Sequence, residues 1–550
     1  MTAPRGSADA KRLLTRRGFV GGTAATAAAI GLAGRASAAP ARAAALTKAG
    51  FQAEENVILI GTLGEASTIN PFLQSDTEAY WRCKLMFEQF VRVDGATYAP
   101  TPGPGIASAW TLEDLTYTFT INPKATFSDG TDLTADDVAF TITGMLAPET
   151  ASPSSSKYTS IAGADEFIAG TATEISGLEV VDAKTLKITL GTPDASFLYN
   201  LRSIFTVPKA QLEGKSLTDD PWFQAPIGAG PFVFESWANG GDFVAKKNPT
   251  YYQEGKPALD GFIHRVIADA NSLVLALASG EIDGSIYPAP TLKDQIAENP
   301  EMTFTVPPFT SADGWMFNFE NEWLAKKEVR QAICMAIEVG QYAEDSLLGL
   351  GGVAVGPLAP DNWAFDKDLK ALPYDPVKAK ELLDSVSFPP GTKIRGTVNT
   401  GNVLREDWLV YSQQALQEIG IEIDPQPQEY AALVEAVTAR DYEMCGVLFA
   451  GTTADPGELY EQFLTGSSGN YMGYGNPELD DLLKQARQEL DQDAAKAIYK
   501  QIQAIIVDDS PLFFAWYRPF LNVVNKKFTG FTPSNLEQQL FYSLEDAKLA

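Results

Sequence analysis

An α/β protein of two or more domains is predicted by three observations. Short apolar runs suited to buried strands alternate with amphipathic stretches suited to helices. The roughly 500 residues that follow an N-terminal leader exceed what one hydrophobic core organises. Hydrophobic residues make up 45% of the chain with ordinary glycine and proline content, a globular composition.

The leader reads as a twin-arginine export signal. Thr15-Arg16-Arg17-Gly18-Phe19-Val20 precedes a weakly apolar stretch, residues 21–34, too short and too mild to span a bilayer. Ala36-Ser37-Ala38 is a small-x-small cleavage site, so residues 1–38 form the signal peptide and the mature chain starts near Ala39. The first cysteine, Cys83, lies far downstream, so no lipid anchor is expected. The product is expected to be soluble, periplasmic or extracellular, and exported folded through the Tat translocase.

Asn56-Val57-Ile58-Leu59-Ile60-Gly61 suits a buried strand. Residues 115–121 alternate, with Tyr117, Phe119 and Ile121 on one face, as in a half-buried strand. Phe127-Ser128-Asp129-Gly130-Thr131 is a turn. Thr134 caps a following helix, with Asp137 three residues on at the positive end of its dipole. Asp129, Asp136 and Asp137 lack calcium-loop spacing. Residues 226–232 form a glycine-rich turn feeding a strand, without the helix or lysine of a phosphate loop. A helix over 272–278 stops at Gly280. Further amphipathic helices cover 328–339, 376–386, 407–419 and 493–507.

Composition excludes several functions. Eight Lys or Arg and only Asp9 occupy the first fifty residues, so the net charge of −28 is more than accounted for by the rest. An acidic body repels nucleic acid and anionic lipid, and its bland role is solubility. His264 is the only histidine; it sits in a strand-like run and reads as structural, and multi-histidine metal sites are impossible. Cys83, Cys334 and Cys445 allow either three buried thiols or one bridge, such as Cys334–Cys445. No nucleotide motif appears. A two-carboxylate glycoside hydrolase is not excluded by counting acids.

Several landmarks occur in order: Thr68-Ile69-Asn70-Pro71; Phe127 to Thr131 with Leu133 to Val138; Ile227-Gly228-Ala229-Gly230-Pro231-Phe232; Asn248-Pro249-Thr250-Tyr251 with Gly255-Lys256-Pro257; Leu277 to Asp283; Val329 to Ile333; Tyr374-Asp375-Pro376; and Tyr474 to Asp480. Together they resemble family 5 of the extracytoplasmic solute-binding proteins of ABC importers, the peptide/nickel/opine class, over nearly the whole mature chain.

That resemblance implies a type II, two-lobe periplasmic binding protein with an extra subdomain and a ligand cleft between the lobes. Lobe one would span 39–308, with the subdomain at about 90–220. Lobe two would span 309–512, after a crossing near Pro307–Phe309. Residues 513–550 would return to lobe one. It implies a monomeric binder, not an enzyme, that needs no cofactor. The binder closes on a small-molecule solute (a peptide, an opine-like compound or an oligosaccharide) and delivers it to an ABC permease in the membrane. A secreted glycoside hydrolase, and a binder that reports its ligand to a sensor, are the alternatives.

The resemblance also implies where the solute binds. Gln74-Ser75-Asp76-Thr77 would supply polar contacts from lobe one, Ser75, Asp76 and Thr77 above all. Tyr430 and Phe449 would be stacking walls, followed by Ala450, Gly451 and Thr452. Trp315 and Asn318 would face the same cleft. Two charged family positions are replaced. Thr452 stands where peptide binders hold the ligand ammonium with an Asp, and Asn399 stands where some hold the carboxylate with an Arg, with Arg405 six residues on. Asp455 is expected to cap a helix. An uncharged or hydroxyl-rich solute is therefore expected to fit better than a free dipeptide.

Overall fold

The computed structural model describes residues 42–52, 56–95, 97, 99–238, 240–286, 288–306, 311–449, 455–519, 521–531 and 539–550. The export signal, the crossing at 307–309, the side chain of Phe449, and Ala450, Gly451 and Thr452 lie outside the described residues.

Two sheets organise the chain. The first has seven strands in the order Met302–Thr305, Asn522–Asn525, Gly284–Ser285, Val57–Thr62, Gly261–Val266, Phe243–Lys247 and Phe232–Trp237. Val57–Thr62 is buried along its whole length and pairs in parallel with Gly261–Val266, Val57 opposite Gly261. A continuous apolar run is what a strand covered on both faces requires. The helix Ala270–Ser279 covers one face; Asp269 accepts from Ser272 N at its start, and Gly280 ends it at φ +82°.

The subdomain is an antiparallel sheet ordered Ala107–Glu113, Thr116–Ile121, Thr185–Thr189 and Leu178–Asp182, packed with the helix Ala135–Leu146. Thr134 and Asp137 form the anticipated capping box. Phe119 and Ile142 of this unit share one core with Ile58 and Ile60 of the first sheet.

The second sheet has six strands in the order Gly352–Val353, Leu512–Tyr517, Ala312–Phe317, Met444–Phe449, Thr392–Asn399 and Ile421–Gln428. Thr392–Asn399 and Ile421–Gln428 are parallel, joined by the helix Val403–Glu418, a crossover that parallel pairing requires. Its two faces bury separate cores, one holding Trp315 and Phe317, the other Ala312 and Met316.

One boundary is corrected. Leu512–Tyr517 pairs antiparallel with Ala312–Phe317, so it belongs to the second sheet. The chain returns to the first sheet after Tyr517, not after residue 512; an apolar run announces a strand but not which sheet receives it. Cys83, Cys334 and Cys445 are separate, buried, free thiols. His264 is fully buried against Phe243 and Phe262, and burial together with nearby Arg82 pushes its pKa well below the usual value, so the ring is neutral.

Candidate functional site: a cavity between the lobes

The lobe-one wall is built by the start of the helix Thr77–Phe87. Asp76 is its N-cap and accepts from Ala79 N at 3.0 Å, from Ser67 N at 3.2 Å and from Ser67 Oγ. The far end of this helix is seated on the glycine-rich turn. A Cβ on Gly228 would stand 2.0 Å from Met86 O, and one on Gly230 2.5 Å from Leu85 O, so only glycine permits the contact. Ser75, Asp76, Thr77 and Glu78 line a cavity of about 330 Å³.

The helix Tyr430–Thr438 of lobe two forms the facing wall and presents Leu433, Val434 and Val437, joined by Met316 and Met472. Tyr430 reaches across to lobe one. A Cβ on Gly64 would lie 2.8 Å from its ring, and its hydroxyl hydrogen-bonds the Thr77 backbone. Burial, then the negative charges of Asp76 and Glu78, raises the Tyr430 pKa well above the ordinary range, so the hydroxyl stays protonated.

The third wall is charged. Asp313, fully buried, accepts from Arg405 Nε at 3.1 Å and from Arg518 Nη1 at 2.7 Å. Arg405 Nη1 also donates to Asn399 Oδ1 at 2.8 Å. Asn399, Arg405 and Arg518 all line the cavity.

A second chamber of about 310 Å³ adjoins the first, sharing Ser75, Asp76, Thr77, Gln462, Gly469 and Tyr471 with it. Lys84, Lys157, Arg202, Glu458 and Glu461 line it beside the rings of Tyr80, Trp81 and Tyr199. Burial pushes Lys84 down to about 8 and also lowers Lys157. At and beside this chamber the subdomain and lobe two are joined by ion pairs. Arg202 Nη2 donates to Glu458 Oε1 at 2.7 Å, and Arg487 donates to Asp194 Oδ2 from Nη2 at 2.7 Å and from Nε at 2.9 Å.

Of the residues singled out from the sequence, Ser75, Asp76, Thr77, Asn399 and Tyr430 meet in this cavity. Trp315 and Asn318 do not, and that expectation is corrected. Trp315 is fully buried in a lobe-two core and donates from Nε1 to Ser412 Oγ at 2.9 Å. Asn318 ties down a turn, donating to Arg440 O and Tyr442 O at 2.8 Å each. Asp455 accepts from Gly457 N at 2.8 Å, just before the helix Glu458–Phe463. Sequence reasoning missed Asp313 and Arg518 and left Arg405 outside the site, so the cavity carries charged groups beyond the expected Asp76.

Comparison with known proteins agrees with this architecture. The family described as bacterial extracellular solute-binding proteins, family 5 Middle, matches residues 101–471. The oligopeptide-binding protein AppA of Bacillus subtilis is 27% identical over 482 residues, covering 84% of this chain and 86% of that protein. The structure of AppA in complex with a nonapeptide superposes with a TM-score of 0.82 at 26% identity, covering 90% of this chain and 99% of the other. AgaA from A. tumefaciens R10, in complex with agropinic acid, gives a TM-score of 0.81 at 26% identity over the same shares.

Proposed function

This chain belongs to family 5 of the bacterial extracellular solute-binding proteins, and from that premise we propose that it is the substrate-binding subunit of an ABC importer for a peptide-like or opine-like solute. The observation that carries the reading is the two-chambered cavity walled by both lobes, with Tyr430 of one lobe resting on Gly64 and Thr77 of the other. A solute touching both walls stabilises the closed arrangement more than the open one, and that difference drives closure. The protein binds and releases its solute unchanged; the closed form is what a membrane permease recognises. Apolar side chains on the Tyr430–Thr438 helix suit an aliphatic body, and the second chamber, with charged groups set among aromatic rings, admits an extended end. The relatives that bind an oligopeptide and agropinic acid support these two solute classes.

The chain acts as a monomer outside the cytoplasm, after export by the twin-arginine translocase. Arg16→Lys with Arg17→Lys should leave the precursor in the cytoplasm, and normal export of that variant would refute the route. The test of function is mass spectrometry of solute released from the purified protein, with thermal melting. A solute present at one hundred times its Kd adds about 2.7 kcal/mol. With an unfolding entropy of about 2.1 cal/mol/K per residue, that raises Tm by roughly 2 to 3 °C. Chemical breakdown of the bound solute during the assay would refute the binding role.

A further inference from the structure

We propose that a separate cavity, away from both solute chambers, binds a small organic ammonium ion against Trp363, Tyr499, Asp455 and Glu489. This cavity of about 310 Å³ shares no described lining residue with the first chamber and only Tyr199 with the second. Pro100, Ala195 and Tyr199 of the subdomain form one wall, and lobe two forms the other. Ala195 N donates to Arg487 O at 2.8 Å, which holds the two walls together.

Lobe two builds the aromatic side. Gln492, Ala495 and Tyr499 are spaced by three and four residues on the helix Gln492–Asp509, so they share one face. Gln503 of the same helix donates to Ala364 O at 2.9 Å and thereby seats the neighbouring Trp363 beside Tyr499. The two rings stand 5.8 Å apart at 88° and make a corner. Tyr499 is 4% exposed, yet its hydroxyl makes no hydrogen bond among the described residues, so its oxygen is open to a donor in the cavity.

The charges select a cation. Asp455 and Glu489 line the cavity, and among the described residues no Lys, Arg or His does. Burial, and then the like charges of Glu458 and Asp194, pushes Asp455 up to about 6, and a cation beside it relieves that penalty. Ring faces attract a cation that comes within about 6 Å of the centroid. A bare calcium or magnesium ion takes about six or more oxygen ligands, which two carboxylates and a phenol do not supply. An ammonium on a methylated or apolar body uses the rings and the acids together.

The test is calorimetric titration of the full mature chain with choline and with its uncharged carbon isostere, in which a tert-butyl group replaces trimethylammonium. Choline should be preferred by about tenfold or more. That preference should fall below about threefold in Trp363→Leu and persist in Trp363→Phe, a selectivity change that a merely structural role would not produce. Glu489→Gln keeps the acceptor for Asp491 N; it should weaken choline and leave the isostere unchanged. Equal binding of the two probes, binding of neither, or an unchanged preference in Trp363→Leu overturns the site. None of these results touches the solute carried in the main chambers, so the solute-binding reading stands or falls separately, by mass spectrometry of that solute.

Discussion

The ion pair between Asp194 and Arg487 should govern how far the protein opens. Asp194 lies in the subdomain, where Ser160 Oγ donates to it at 2.7 Å and Ser196 N at 3.0 Å, so its carboxylate is set before lobe two arrives. Arg487 sits near the end of the helix Pro477–Gln488 in lobe two, stacked 4.4 Å from the Tyr460 ring centroid. The two side chains are 0% and 8% exposed. Asp194→Asn keeps the shape and the acceptor for Ser196 but leaves Arg487 only the more distant Glu461, at 3.9 Å, as a carboxylate partner, and breaking a buried pair costs up to about 3 to 5 kcal/mol. Opening returns Arg487 to water, so the cost falls on the closed form. Since about 1.4 kcal/mol is a factor of ten, the closed-to-open ratio should fall by up to roughly two to four orders of magnitude. Fluorescence energy transfer between dyes on Asp165→Cys and Lys484→Cys, both exposed positions on the two sides of this contact, reports the change. The native thiols do not compete: all three are buried, and burial pushes Cys334 and Cys445 up to about 12 and Cys83 higher. Unchanged transfer in Asp194→Asn, accompanied by a loss of global stability of the full 3 to 5 kcal/mol, would show that the pair is fixed and that the lobes do not part there.

Three other outcomes follow from the same geometry. Gly64→Ala places a Cβ 2.8 Å from the Tyr430 ring and should hold the lobes apart; adding Tyr430→Ala should restore the transfer efficiency of the parent, and failure of that rescue refutes the contact. Burial alone would raise the Glu545 pKa, but Lys84 and Arg92 outweigh it and draw it from 4.5 down to about 2; its contribution of about 3 kcal/mol is complete above pH 4.5 and lost as pH falls toward 2, so Glu545→Gln should flatten that limb of the denaturation profile. Burial raises Asp455 from 3.8 to about 6, the opposite sign: its charged form weighs against the fold above pH 6, and that penalty is lifted as pH falls through 6 toward 3.8. Asp455→Asn should therefore lose the stability difference between pH 5 and pH 7, measured by urea titration.

Local features were legible where one residue decides them. The Thr134–Asp137 box, the Gly280 stop and the fully apolar run at Val57–Thr62 each follow from short-range chemistry. Ser75, Asp76, Thr77 and Tyr430 were reachable because ordered motifs locate the helix starts that carry them. Trp315 misled because both faces of its strand are covered: alternation sends Trp315 and Phe317 into one core and Ala312 and Met316 into the other, and Met316 is the one that reaches the cavity. Arg405 carried a usable signal. Asn402 caps the next helix by accepting from Arg405 N, which puts Arg405 in the first turn, folded back beside the strand end at Asn399. Arg518 carried none, since it meets Asp313 only through pairing between strands some two hundred positions apart.

The threading of residues 512–525 bears on how the molecule is made. Leu512–Tyr517 is an interior strand of one sheet and Asn522–Asn525 an interior strand of the other. A nascent chain that has emerged only as far as residue 511 possesses neither sheet in finished form, and each presents bare strand edges ready to pair wrongly. The first sheet therefore cannot be completed until the whole of lobe two has been synthesised. A stop codon shortly before residue 512 would spoil both halves at once.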